Sequence, residues 1–190
     1  MQADTPTTAR PGLRPRLIVV MGVSGTGKTT LATAWHEALG WPWQDADPLH
    51  SAASRAKMAA GIALNDQDRA GWLTRCHNWL ASQAARGEGG ILACSALKRR
   101  YRDRLVLGLP APWRPIIIHL CASPGQLAER LAQRTNHLMP ASLLPSQLAT
   151  LEPPQPDELA RNFDATAPVQ ATHPHVLARL SALPDPGHAG

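Results

Sequence analysis

Four short apolar runs punctuate the chain: Leu17 to Met21, Trp41 to Gln44, Gly90 to Cys94 and Pro115 to Cys121. They lack the polar alternation of a half-exposed strand, so they read as strands covered on both faces, the habit of parallel sheets. Between them the apolar spacing becomes helical over Thr29 to Leu39, Asp68 to Arg86 and Pro124 to Gln133. In the last of these Leu127 and Leu131 stand four apart, and Ser123 is placed as an N-cap before a first-turn Pro124. A fifth strand near Phe163 to Ala167 and a helix from Pro174 to Leu180 complete the series. Strands separated by helices imply βαβ units and an α/β sandwich around a parallel sheet.

Before the first run, residues 1–15 carry Pro6, Pro11, Gly12 and Pro15 without an apolar period and read as a mobile tail. Pro184-Asp185-Pro186-Gly187 makes residues 183–190 a frayed end, leaving 16–182 as one domain. With 44% hydrophobic and 17% charged residues, global disorder is excluded. The longest apolar stretch, Leu17 to Val23, is far shorter than the roughly 20 residues a membrane helix needs, so no membrane span is expected. It runs into a glycine loop and not a small-residue cleavage site, which makes the cytoplasm the expected compartment. Cys76, Cys94 and Cys121 are odd in number and widely spaced, as suits reduced core thiols. The net charge of +5 arises from 16 Arg and 3 Lys, but Arg10, Arg14 and Arg16 less Asp4 place +2 of it in the terminal segment. Charge alone therefore does not point to nucleic acid.

The first strand ends on Gly22-Val23-Ser24-Gly25-Thr26-Gly27-Lys28-Thr29, which satisfies G-x-x-x-x-G-K-[ST] between a strand and a helix. Glycines let backbone N–H groups converge on phosphate oxygens, and the helix N-terminus adds its positive dipole end. Lys28 is placed to reach the terminal phosphates and Thr29 to ligate magnesium, so a nucleoside triphosphate site is expected. Asp45 and Asp47 follow the second strand, two apart, and on an extended segment residues two apart point the same way. They either share a cleft, one toward the magnesium shell and one toward a substrate hydroxyl, or only cap the next helix.

The loop together with Asp45-Ala46-Asp47-Pro48-Leu49-His50, Lys57-Met58, Gly61 to Arg69 and Trp72-Leu73 resembles the small gluconokinases. So do, in the same order, Cys94-Ser95-Ala96-Leu97-Lys98, Tyr101-Arg102-Asp103, Arg134 with His137-Leu138-Met139-Pro140, Ser146-Gln147-Leu148 and Thr150-Leu151-Glu152-Pro153. The resemblance spans about residues 16 to 180. It implies a three-layer α/β/α P-loop kinase fold with a central parallel five-stranded sheet, a substrate-binding helical segment over about 46–85 and a lid over about 134–147. It further implies a homodimer that phosphorylates D-gluconate at its 6-hydroxyl with ATP and Mg2+, supplying the pentose phosphate pathway. Carried over, ATP falls to Gly22, Val23, Ser24, Gly25, Thr26, Gly27, Lys28, Thr29, Thr30 and Arg130, and the metal to Thr29 and Asp45. Lys28, Asp47, Arg130 and Arg134 are the catalytic candidates, with Asp47 orienting or deprotonating the attacking hydroxyl.

A sugar acid needs a cation for its carboxylate and polar groups along its length, which makes Arg55, Arg69, Lys98 and Arg102 candidates, with Asp47 and His50 for hydroxyls. The run Lys98 to Arg104 reads as a solvated face at Arg99, Arg100 and Arg104, with an anion-facing role for Lys98 or Arg102. A single interleaved Tyr101 argues against nucleic acid. Arg130 and Arg134, four apart, belong either to a lid that stabilises transferred charge or to an exposed helix end. Two positions depart from the family pattern: Thr135-Asn136 replaces a Gly before His137, and Ser51 stands where Pro is common, which is expected to loosen the substrate loop. A shikimate or nucleoside monophosphate kinase would need a different acceptor pocket. A nucleotide-switched RNA-binding protein would show salt-sensitive binding without metabolite-dependent turnover.

Overall fold

The computed structural model describes residues 14–133, 141–167 and 178. Five parallel strands form one sheet in the order β2-β3-β1-β4-β5, with β1 Leu17–Met21, β2 Trp43–Asp45, β3 Gly90–Ala93, β4 Ile116–Cys121 and β5 Ala160–Asp164. All five residues of β1 are buried. Because side chains alternate across a strand, Ile18 and Val20 enter one face and Leu17, Val19 and Met21 the other. The first face is covered by Leu31, Ala32, Trp35 and Leu39 of helix α1 (Lys28–Leu39). The second meets Trp72, Leu73, Cys76 and Leu80 of α3 (Asp66–Arg86) and Tyr101 and Leu105 of α4 (Arg99–Val106). The result is the expected three-layer α/β/α fold, in which each buried Leu, Ile or Val stabilises by about 1.5–3 kcal/mol.

The strand ends differ from expectation where pairing is one-sided. The edge strand β2 runs Trp43–Asp45 in place of Trp41 to Gln44, because Pro42 has no N–H to give and serves the ladder only through its carbonyl, which accepts from Ile91 N–H at 3.0 Å. The opposite edge, β5, begins three residues before Phe163, since its exposed Arg161 and Asn162 carry no apolar signal. Three helices had no clear period in the sequence: α2 (Ala52–Ala59), α4 and α6 (Leu144–Thr150). Helix α5 (Pro124–Ala132) starts as expected, with the Ser123 side chain accepting from Gln126 N–H and Gln126 returning the bond in a capping box. No helix among the described residues is long and apolar enough to cross a membrane. The tail up to residue 13, residues 134–140 with Arg134, and the expected helix at Pro174 to Leu180, apart from residue 178, lie outside the described residues.

Candidate functional site

Parallel strands direct all their C-terminal ends to one edge of the sheet, and the site is assembled there. The glycine loop leaves β1 with Gly22, Gly25 and Gly27 at φ of +147°, +89° and +91°. A Cβ on Gly22 would stand 2.8 Å from both the Leu120 carbonyl oxygen and Thr26 Oγ1, so no other residue fits. Gly22 N–H donates to Ser95 O at 3.4 Å, seating the loop on the turn after β3. Within the loop, Thr26 Oγ1 and Lys28 Nζ donate to Val23 O at 2.9 and 3.1 Å. Thr29 and Thr30 lie exposed in the first turn of α1, whose N-terminus opens from the loop. This is a backbone cradle shaped for an anion at a positive helix end.

Beside it, Thr29 Oγ1 donates to Asp45 Oδ2 at 3.1 Å, and Asp45 Oδ1 accepts Asp47 N–H at 3.0 Å. Asp47 opens a 3-10 turn over Asp47–Leu49, so the two carboxylates are not strand neighbours on one face. Asp45 instead joins the P-loop helix to the turn that carries Asp47. A hydroxyl and a carboxylate, both hard oxygen donors, suit Mg2+. No group of three His, Cys, Asp or Glu residues able to hold a metal exists among the described residues. The donor set therefore fits a cation held largely by nucleotide phosphates.

His50, the next candidate, is buried and stacks on Trp72 with ring centroids 4.4 Å apart and planes at 9°. Trp72 is itself tied down, its Nε1–H donating to Ala46 O at 2.7 Å. Burial pushes the His50 pKa down to about 4, and the Arg69, Arg75 and Arg55 charges act in the same direction. Its buried Nδ1 has no hydrogen-bond partner among the described residues. Arg55 Nη1 donates to His50 O at 2.6 Å and to Pro48 O at 3.3 Å, and Arg75 Nε to Leu49 O at 2.6 Å. Arg55 thus braces the turn. Ser51, expected to loosen this loop, instead N-caps α2, its hydroxyl accepting from Ser54 N–H at 3.1 Å.

Arg69 and Lys98 meet at Tyr101, each 5.6 Å from the ring centroid, with Arg100 at 5.8 Å. Arg69 also donates to Leu64 O. Asp66 accepts from Tyr101, Lys98 and Arg100, and the Tyr101 hydroxyl, followed by Lys98, holds its carboxyl below the ordinary range. Arg69 faces an open cleft of about 290 Å³ whose walls include Met58, Leu64, Leu97, Ser146 and Gln147.

Arg102 does not face this cleft. It is 1% exposed and donates Nη2 to Glu158 Oε1 at 2.9 Å, and Nη1 to Glu152 O, Ala96 O and Leu97 O at 2.9, 3.2 and 3.4 Å. Those carbonyls and that carboxylate consume its guanidinium, so its part is to hold the Ala96-Leu97 turn. Arg99 pairs with Asp157 and Asp103 on the surface, and Arg104 reaches Thr74 Oγ1 at 3.4 Å. Arg130 lies against the loop, donating to Ala165 O at 2.6 Å, Thr166 O at 3.1 Å and Gly25 O at 3.5 Å. The structure thus gathers the loop, Asp45, His50, Arg69, Lys98 and Arg130 around one sheet edge and removes Arg102. The polar partners Trp72, Asp66 and Gln147 went unassigned in the sequence; Gln147 carried a signal only within the Ser146-Gln147-Leu148 match.

A glycine cradle at a helix N-terminus, a Thr–Asp pair beside it and a cleft that holds Arg69 define a P-loop phosphotransferase. The family described as AAA domain matches residues 17–154. The gluconokinase of Gluconobacter oxydans (strain 621H) is 55% identical over 147 residues, covering 77% of this chain and 81% of the relative. A sugar kinase from Janibacter sp. HTCC2649 superposes with a TM-score of 0.82 at 41% identity, over 90% of this chain and 98% of that one. A gluconokinase from Sinorhizobium meliloti 1021 gives a TM-score of 0.78 at 41% identity, over 88% and 93%. The chain belongs to the gluconokinase family.

Proposed function

We propose that the protein transfers the γ-phosphoryl group of ATP to the 6-hydroxyl of D-gluconate, giving 6-phospho-D-gluconate and ADP. The observation that carries this reading is the direct junction of the phosphate loop with the cleft that holds Arg69: Ser24 at the loop tip bonds to Gln147, which lines the same cleft as Arg69. A phosphoryl donor on the loop and a small anionic polyol in the cleft would thus meet at Ser24.

In this reading the backbone N–H groups of residues 22–30 that are not held by Ser95 O and Gln147 Oε1, together with Lys28, bind the ATP phosphates. Thr29 and Asp45 would hold Mg2+, which neutralises phosphate charge when bound. Arg130, already against Gly25, and Arg134 supply further positive charge to the transferred group. Asp47 accepts the proton as the 6-oxygen forms its bond to the γ-phosphorus and the bond to the β,γ-bridging oxygen breaks. His50, kept neutral by burial, offers Nδ1 to a hydroxyl, and Arg69 with Lys98 takes the carboxylate. The domain over 16–182, a lid within 134–147, a homodimer, a cytoplasmic location and service to the pentose phosphate pathway complete the proposal. The pairing of the α4 arginines with Asp66, Asp103 and Asp157 supports a reading without nucleic acid. A coupled ADP-release assay across D-gluconate, shikimate, AMP and CMP tests it, with turnover expected on D-gluconate.

A further inference from the structure

Gln147 has no part in the chemistry above, yet its side chain reaches the phosphate loop across 123 positions of sequence. Ser24 N–H donates to Gln147 Oε1 at 2.7 Å, and Gln147 Nε2 donates to Ser24 Oγ at 3.0 Å. Gln147 is 8% exposed, so both bonds form away from bulk water, where an unmade bond costs most. Two contacts from one planar amide fix the orientation of the Ser24 peptide as well as its position. Ser24 is the third residue of a loop whose N–H groups are its means of binding phosphate. A side chain that holds one of those N–H groups sets where the others converge.

The helix that carries Gln147 is packed on two sides. Leu144 joins Val23 of the loop, with Leu97, Leu127 and Leu131, in one apolar cluster. Leu143, just before α6, joins Met58 and Leu64 of the acceptor-side segment in another. Ser146, Gln147 and Thr150 line the cleft between them. Any shift of α6 on filling that cleft is therefore delivered to Ser24 through a bidentate contact.

We propose that Gln147 is a positioning residue that sets the phosphate-loop tip through Ser24 and makes nucleotide affinity depend on the occupancy of the acceptor cleft. The inference rests on the reading of that cleft as the acceptor site. Its test is calorimetric titration of the wild-type protein, Gln147→Ala and Gln147→Glu with a non-hydrolysable ATP analogue, with and without saturating D-gluconate, alongside thermal unfolding.

In the wild type, gluconate should change analogue affinity by about fivefold or more, the lower end of ordinary coupling. Gln147→Ala should reduce that change to below about twofold and weaken the analogue alone by about three- to tenfold, the size of one or two lost hydrogen bonds. Gln147→Glu offers oxygens to both Ser24 donors, so it should restore coupling while its charge weakens the analogue further. A purely structural role would lower the unfolding temperature and leave the coupling ratio intact. With gluconate bound, an equal ratio in wild type and Gln147→Ala, or a ratio near one in the wild type, overturns the proposal. Should gluconate fail to bind at all, the acceptor reading falls by itself. The analogue arm then decides: unchanged affinity in Gln147→Ala also overturns the role of Gln147.

Discussion

Asp47 and His50 sit three residues apart and are governed by opposite physics. Asp47 belongs to a turn tied by its backbone to Asp45, which presents it beside the loop without spending its carboxylate on that bond. Asp47→Asn keeps the size and the N–H while removing the proton acceptor. Turnover should fall by about 10²–10⁴-fold, the range for a lost acid–base group, with the dissociation constant for ATP unchanged in equilibrium titration. Unchanged turnover would remove Asp47 from the chemistry. His50 is a hydroxyl-binding candidate that burial keeps neutral. Its pKa of about 4 in the fold lies below the ordinary 6.5, so between those values the unfolded chain binds a proton that the folded one refuses. Its contribution is complete above pH 6.5 and declines as the pH falls toward 4, by about 3 kcal/mol over the window. Urea unfolding of the wild type should show that slope, and His50→Phe, which retains a ring against Trp72, should flatten it between pH 6.5 and 4.

At the scale of elements, periodicity located the strands because β1, β3 and β4 are buried on both faces and read as unbroken apolar runs. It failed where a helix is short or held by polar bonds. The charged helix α4 is held by Arg99 to Asp157 and Arg102 to Glu158, contacts 58 and 56 residues apart that no local pattern encodes. The start of α3 was placed late for a similar reason: Asn65 and Asp68 form a capping box, so the helix begins at Asp66, ahead of its apolar positions. Arg102 shows the limit for the site. Its neighbours in sequence suggested an anion contact, whereas its partners are Glu158 and the carbonyls beneath the cleft. Ala96, whose carbonyl it holds, has a left-handed φ of +44°, a conformation that costs a residue with a Cβ and so needs support. Burial drives the Glu158 carboxyl upward, but its bonds to Arg102 prevail and hold it low. Arg102→Ala would strip Glu158, 5% exposed, of its bidentate partner, leaving the Gln155 N–H bond at 2.8 Å and Arg99 at 3.8 Å to compensate a buried charge, and would free the carbonyls of Ala96, Leu97 and Glu152. The expected loss is about 3–5 kcal/mol of stability, measured by chemical denaturation, and a loss within 1 kcal/mol would contradict this account of the pair.

For the whole molecule, the loop motif was legible because its chemistry is local: glycines, Lys28 and Thr29 are consecutive, and the flanking strand and helix are their immediate neighbours. The cleft at Arg69 has no local signature, since it is built from α2, α3, the turn after β3 and α6, with Met58 and Thr150 at its two ends in sequence. Its assembly follows from the sheet order, in which β3 and β4 flank β1 and bring Ser95 and Leu120 against Gly22. D-gluconate is expected in this cleft beside ATP. The most direct measurement is ADP release by the full chain with ATP and Mg2+ as D-gluconate is varied. A saturable rise with D-gluconate that shikimate, AMP and CMP do not reproduce is expected; ADP release that does not increase with D-gluconate would contradict D-gluconate as the acceptor.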